Sequence, residues 1–188
     1  MFYAHSLPGH PESSWQPLND HLDETGRLAS FFAGFGASET ARLLGVIHDI
    51  GKRSAKFQQR LRGKKQRVDH SSAAAFYLFE EWGNDDAVGR LLSRLLSYVL
   101  FGHHGGMPDF GSAAEEGSVD YRLSSAYKRT LPDWKTGGIQ PLPSSMQFVH
   151  ELAPLMCMEG KRPDAFAISF LEPFLDDKLM FKLLLEAF

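Results

Sequence analysis

The sequence predicts an all-α fold on three observations. In residues 39–50, Leu43, Leu44, Ile47 and Ile50 recur at three- and four-residue steps, the spacing of a buried helix face. In residues 86–104, Leu91, Leu95 and Val99 make one apolar stripe and Leu92, Leu96 and Leu100 make its neighbour. Helical spacing also runs through residues 20–35, 70–82, 144–158 and 164–188, with glycine, serine and proline between these segments.

Residues 1–18 read as extended or irregular, because Pro8, Gly9, Pro11 and Pro17 break any helix there. His5 and His10 fall in this segment. The helix expected over residues 20–35 takes Asn19 or Asp20 as its N-cap. Its inward face is expected to carry His21, Thr25, Leu28, Ala29 and Phe32, with Gly34 and Gly36 closing it. Ser38 then caps the helix over 39–50, which ends in Val46-Ile47-His48-Asp49-Ile50-Gly51-Lys52. His48 and Asp49 lie about 100° apart around a helix, so both can touch one ion held beside its end.

Between Lys52 and Arg67 lie Lys52, Arg53, Lys56, Arg60, Arg62, Lys64, Lys65 and Arg67, with no acid among them. The window carries +8 in a chain of net charge −3, leaving −11 elsewhere. Directly after His48-Asp49, such a patch is an electrostatic footprint for a polyanion. Asp69 and Ser71 suit the cap of the helix over 70–82, so their expected role is structural. His70, in its first turn, is kept neutral by the helix N-terminus and so able to bind a metal. The two apolar stripes of 86–104 run on into His103 and His104, and Gly105-Gly106 end that helix. A buried histidine pair without partners is costly, so an ion between them is the better explanation.

Residues 107–145 are loop-rich, with a short helix expected around 119–129, and this stretch reads as a border or cover for a cleft. His150, on the helix over 144–158, is read as structural or exposed. The apolar stretch 164–188, with Pro173 opening a new helix turn, is expected to fill the remaining side of the core. It stops at Phe188 without a capping glycine, as a helix continuing into a further domain would.

The length of 188 residues fits one domain with a proper core, and 43% hydrophobic with 23% charged residues fits an ordinary soluble protein. No apolar run approaches a membrane span, and no secretion signal opens the chain. The single cysteine, Cys157, excludes an internal disulfide, suits a reducing cytoplasm, and reads as a core residue among Leu155, Met156 and Met158. No Gly-x-Ser-x-Gly elbow is present, so nothing suggests a serine or cysteine nucleophile.

Six candidate ligands remain: His21, His48, Asp49, His70, His103 and His104. Imidazoles with a carboxylate suit Mn, Fe, Co, Ni or Zn better than calcium. Six ligands exceed what one catalytic ion takes while keeping a place for water, so two divalent ions bridged by Asp49 are expected, with Mg a further candidate. A pair of ions roughly 3.5–4 Å apart is a standard arrangement for phosphodiester hydrolysis. Lys52 is then placed to offset charge on the phosphate, giving Asp49 and Lys52 the catalytic roles. Lys52, Arg53, Lys56, Arg60, Lys64 and Lys65 form the expected nucleic-acid contact.

The order His21…His48-Asp49-x-Gly51-Lys52…Asp69-His70-Ser71…Gly102-His103-His104-Gly105-Gly106 resembles the HD-domain nucleases of type I CRISPR systems. Ala4-His5-Ser6 and Lys56-Phe57-Gln58 strengthen the likeness, which runs from about residue 3 to 106. The resemblance implies an all-helical HD fold with a metal site among its helices. It implies one metal held by His21, His48 and Asp49, and a second held by Asp49, His70, His103 and His104. It also implies metal-dependent cleavage of single-stranded DNA, with a superfamily 2 helicase, fused or separate, and the CRISPR surveillance complex as partners. In that family a late helix adds an aspartate to the first metal within a Ser-x-Leu-x-Asp-Ala-Asp-like segment. No such segment is found here: either the chain stops before it, or Asp176 or Asp177, whose flanking residues do not match the pattern, stands in. Two other readings compete: a phosphohydrolase of small nucleotides on the same site, and a non-catalytic module that docks a helicase or a nucleic acid.

Overall fold

Two helices that touch through glycine set the frame. Helix α1 (Leu18–Phe32) and helix α2 (Ser38–Ile47) cross where Gly26 meets Gly45. A Cβ on Gly45 would lie 2.6 Å from the Gly26 Cα, and one on Gly26 would lie 2.5 Å from Cγ1 of Val46. No side chain fits between them, so the backbones approach closely. The computed structural model that shows this describes residues 1–155 apart from Phe35, Asp85, Asp86, Gly105, Met107, Phe110, Gly111 and Ala113. Cys157, Asp176, Asp177 and the apolar stretch 164–188 lie outside the described residues.

The buried face of α1 is Leu18, Leu22 and Gly26. This corrects the expected inward face: Leu28 is 46% and Phe32 76% exposed, while His21 and Thr25 are half-buried. The helix begins after Pro17 with no side-chain cap, so neither Asn19 nor Asp20 caps it, and it ends at Phe32 ahead of Gly34. Pro17 belongs to strand β2 (Gln16–Pro17), which pairs antiparallel with β1 (Tyr3–His5). That pairing explains the early helix start, since β2 runs straight into α1. The N-terminal segment is therefore extended in part, as expected, with its two short strands paired.

Helix α2 is capped from outside its own segment. Ser38 is its first residue rather than its cap, and the Glu151 carboxylate accepts from the Glu39 and Thr40 amides at 2.8 and 2.7 Å and from Thr40 Oγ1 at 2.8 Å. A carboxylate there satisfies free amides and complements the helix dipole. Glu151 comes from α8 (Met146–Leu155), which thereby ties the far end of the described chain to α2.

Helix α4 (Ser71–Trp82) runs through the middle, buried from Ser71 to Leu78, and packs on α5 (Ala87–Gly102). Ala73, Ala74 and Ala75 are fully enclosed, which lets neighbours close on it, while Leu78 of α4 and Leu92, Leu96 and Leu100 of α5 are buried in the same core. Each such leucine contributes about 1.5–3 kcal/mol of burial. Helix α3 (Ala55–Leu61) is capped by Ser54, whose hydroxyl accepts from the Phe57 amide at 3.2 Å. The single helix expected around 119–129 is two short ones, α6 (Val119–Arg122) and α7 (Ser125–Lys128), because Ser118 and Ser124 each cap a turn. No described helix is long and apolar enough to cross a membrane.

Candidate metal centre

The helix read over 39–50 stops at Ile47. His48 and Asp49 lie in the turn that follows, and Ile50–Arg53 winds as a tight 3-10 turn. Gly51 sets that turn against the start of α4: a Cβ on it would lie 2.1 Å from the His70 carbonyl oxygen. His70 is thereby held beside the His48-Asp49 turn. Helix α5 likewise ends at Gly102, and His103 and His104 lie in the turn that follows. The ends of α2, α4 and α5 thus meet, and α1 brings His21 to the same place.

Asp49 is the centre of the cluster and is 2% exposed. Its Oδ2 lies 3.1 Å from His21 Nε2, 3.1 Å from His48 Nε2 and 2.7 Å from Lys52 Nζ. Its Oδ1 faces His70 Nε2 at 3.5 Å, His103 Nε2 at 3.6 Å and His104 Nε2 at 3.9 Å. The two carboxylate oxygens therefore divide the imidazoles into two groups. In Asp49, His70, His103 and His104, and again in His21, His48 and Asp49, the ligand atoms lie within 4.8 Å of one another, close enough to hold an ion.

The residues fit divalent cations on three further grounds. Asp49 Oδ1 is buried with no hydrogen-bond partner, a costly state for a carboxylate oxygen unless a cation faces it. His48 Nδ1 donates to the Gly45 carbonyl at 2.7 Å and His103 Nδ1 to the Leu100 carbonyl at 2.6 Å. In the neutral rings this leaves the Nε2 lone pairs aimed at the carboxylate, the orientation of metal-binding histidines. His70 Nε2 and His104 Nε2 stand 2.7 Å apart, so at most one of the two carries a proton, and two bare lone pairs repel without a cation between them.

Burial would push the Asp49 carboxyl up, but the His103, His21 and His48 imidazoles hold it well below the usual carboxylate range. Burial pushes His70 down to about 4 against the pull of Asp49, and lowers His104 with help from His103. Both rings are therefore neutral at neutral pH, the form that binds metal.

Lys52 is not part of an exposed basic loop. Its side chain is 4% exposed and its ammonium is ion-paired with Asp49 inside the cluster, 3.5 Å from His5 Nε2. His5 also packs its ring against His21, with centroids 5.0 Å apart. Arg53 turns the other way: Nη1 donates to the Gly138 carbonyl at 2.6 Å, and the side chain borders a cavity with Arg42 and Tyr77 that contains none of the histidines. Lys56, Arg60, Lys64 and Lys65 are exposed on or just after α3. Arg62 is occupied by Glu12, with Nε 2.6 Å from Oε1. His10 and His150 are exposed and outside both ligand groups.

Two positioning elements escaped the sequence reading. Gln58 is buried and saturated: Nε2 donates to the Tyr3 and Lys52 carbonyls at 2.9 and 2.8 Å, and Oε1 accepts from the Tyr3 amide at 3.2 Å. It fastens the hairpin that carries His5 to the turn that carries Lys52. Its place in Lys56-Phe57-Gln58 was a signal, but nothing in the spacing gave it a task. The other is the Asp69–Arg122–Tyr127 network, where the only hint was a cap residue and a Tyr-Arg pair in a loop-rich stretch.

No curated protein sequence matches the chain. The family model described as Cas3, HD domain matches residues 18–166, most of the chain and all six of the converging side chains. The chain therefore belongs to the Cas3 HD-domain family, the HD-domain nucleases of Cas3-type CRISPR systems.

Proposed function

We propose that this chain is a metal-dependent nuclease that hydrolyses phosphodiester bonds of single-stranded DNA. The observation that carries the reading is one buried carboxylate with a different set of imidazoles at each oxygen and a lysine ammonium beside it. In this reading His21, His48 and Asp49 hold one divalent ion, and Asp49, His70, His103 and His104 hold a second. When bound, such ions supply a strong nucleophile from water at neutral pH and offset charge on the phosphate.

The chain's own residues do the rest. Asp49 stays ionised in a buried setting and gives one oxygen to each group. His48 and His103 are fixed in one tautomer by backbone carbonyls, so little reorganisation is needed when ligand arrives. Lys52 supplies a fixed positive charge at the Asp49 Oδ2 edge, suited to a phosphate oxygen. Lys56, Arg60, Lys64 and Lys65 offer an exposed cationic surface for the strand's other phosphates.

The working partners are a superfamily 2 helicase, fused or separate, that feeds the strand, and a CRISPR surveillance complex in the cytoplasm. The chain would act as the single HD nuclease domain of that assembly. The test is cleavage of a long single strand in the presence of Mn2+, Co2+, Ni2+ or Mg2+, with deoxynucleoside monophosphates and cyclic dinucleotides as competing substrates. Wild type should cut the strand, and Asp49→Ala should be inactive yet folded by circular dichroism. Retained cleavage in that variant overturns the mechanism. Hydrolysis of the small nucleotides alone would instead mark a phosphohydrolase.

A further inference from the structure

The loop-rich stretch read as a border to the cleft reaches the helix ends around the centre through Arg122, at the end of α6, and Tyr127, on α7. The Arg122 guanidinium spans two helix ends. On one side Nη2 donates to Ser71 Oγ at 3.1 Å and Ser72 Oγ at 2.7 Å, and Nε reaches Ser72 Oγ at 3.2 Å. These serines open α4, directly after His70. On the other side Nη1 reaches the Phe101 carbonyl at 3.4 Å, and the guanidinium carbon lies 4.0 Å from the Phe101 ring centroid. Phe101 belongs to the last turn of α5, directly before His103 and His104, and the preceding carbonyl, Leu100, is the one that accepts from His103 Nδ1.

The network is closed by its neighbours. Asp69 Oδ2 accepts from Ser72 Oγ at 2.6 Å and from Tyr127 Oη at 2.7 Å, and Asp69 Oδ1 accepts from the Ser72 amide at 3.1 Å. Ser72 is fully buried and donates to Asp69 while accepting from Arg122, so its hydroxyl has no freedom left. The Arg122–Asp69 ion pair itself is long, at 3.9 Å, and the hydroxyls between them carry the linkage. A planar fork that donates in two directions suits arginine and not lysine.

We infer that Arg122 is a positioning residue that sets the separation between His70 and the His103-His104 pair, and through it the affinity of that ligand group alone. The partners of Arg122 are Ser71, Ser72, Asp69 and Phe101, whereas His21 and His48 sit on α1 and after α2. The inference rests on the two-group reading above, in which the imidazoles of His70, His103 and His104 serve one ion with Asp49.

The test is Mn2+ titration of the full chain by calorimetry, with wild type, Arg122→Met, Arg122→Lys and Tyr127→Phe compared. Arg122→Met should weaken one class of Mn2+ site about 10- to 100-fold, the usual effect of removing a support behind metal ligands, and leave the other class unchanged. Arg122→Lys should fall between it and wild type, and Tyr127→Phe should weaken the same class by less. Equal weakening of both classes, or of neither, overturns the inference. Should Arg122→Met fail to fold, Arg122→Lys and Tyr127→Phe decide it in the same way. Failure of the two-group reading shows differently, as unchanged Mn2+ binding in His70→Ala. The metal-free readout then decides: a nuclear Overhauser contact between the His70 and His104 rings should be present in wild type and weakened in Arg122→Lys. An undiminished contact overturns the clamp.

Discussion

Replacing Gly51 with alanine tests how the centre is held together. A Cβ at this position would lie 2.1 Å from the His70 carbonyl oxygen, 2.7 Å from its Cα and 2.8 Å from its carbonyl carbon. All three are backbone atoms of His70, the residue that precedes α4, so no side chain can swing aside. The turn and the helix must part by about 1 Å before ordinary contact is restored. Overpacking of this kind costs about 3 kcal/mol, at the upper end of its usual range. In a domain of this size that lowers Tm by about 6–12 °C. The same displacement separates Lys52 and Asp49 from His70, and a misplacement of about 1 Å is enough to lower a cleavage rate roughly 100-fold. The assay is thermal unfolding by circular dichroism alongside single-turnover cleavage. Gly34→Ala is the control: its Cβ meets nothing within 4 Å, and its backbone is outside the left-handed region. It should shift stability by less than about 0.5 kcal/mol. Gly51→Ala with wild-type Tm and rate would refute the packing argument.

Lys52→Met removes the buried ammonium 2.7 Å from Asp49 Oδ2 and should lower kcat about 100- to 1,000-fold in the metal-loaded protein; cleavage near the wild-type rate would show that the charge is not used. Replacing Lys56, Arg60, Lys64 and Lys65 together with alanine should flatten the salt dependence of single-strand binding by a slope of about 3, at roughly 0.7 per lost phosphate contact, measured by fluorescence anisotropy between low and moderate salt. An unchanged slope would move the strand to another face. Burial lowers His70 from 6.5 to about 4, so between those values the unfolded chain takes up a proton that the folded chain refuses. Its contribution to stability in the metal-free protein is complete above 6.5 and lost as pH falls towards 4, by up to about 3 kcal/mol, and urea midpoints at pH 7 and pH 5 measure it. A higher midpoint at pH 5, or loss of the difference only in wild type and not in His70→Ala, would contradict the assignment.

The helices and the candidate ligand types are legible because both are written locally. The twin stripes of α5 point into His103 and His104, and the apolar spacing of α2 leads to His48-Asp49, whatever the rest of the chain does. The two sets of side chains that the family likeness names are the two sets that gather about Asp49, a grouping that no spacing argument alone could reach. What stayed hidden depends on partners far along the chain. The inward face of α1 was read from its large apolar residues, but the helix turns Gly26 inward to meet Gly45, and a glycine carries no hydrophobic signal. Lys52 and Arg53 looked like one basic loop, yet the 3-10 turn sends the first into the cluster and the second to Gly138. The capping of α2 by Glu151 joins residues more than a hundred positions apart, beyond the reach of any local cap rule. Arg122 and Tyr127 fall on the short helix expected within a loop-rich stretch, and their partners at the ends of α4 and α5 lie too far along the chain for local spacing to reveal.

Anomalous diffraction from crystals soaked in Mn2+ tests the shared carboxylate most directly. Two peaks are predicted beside Asp49, one among His21 and His48 at the Oδ2 edge and one among His70, His103 and His104 at the Oδ1 edge, with both lost in Asp49→Ala. A single peak remote from Asp49, or two peaks that survive its removal, would contradict the reading.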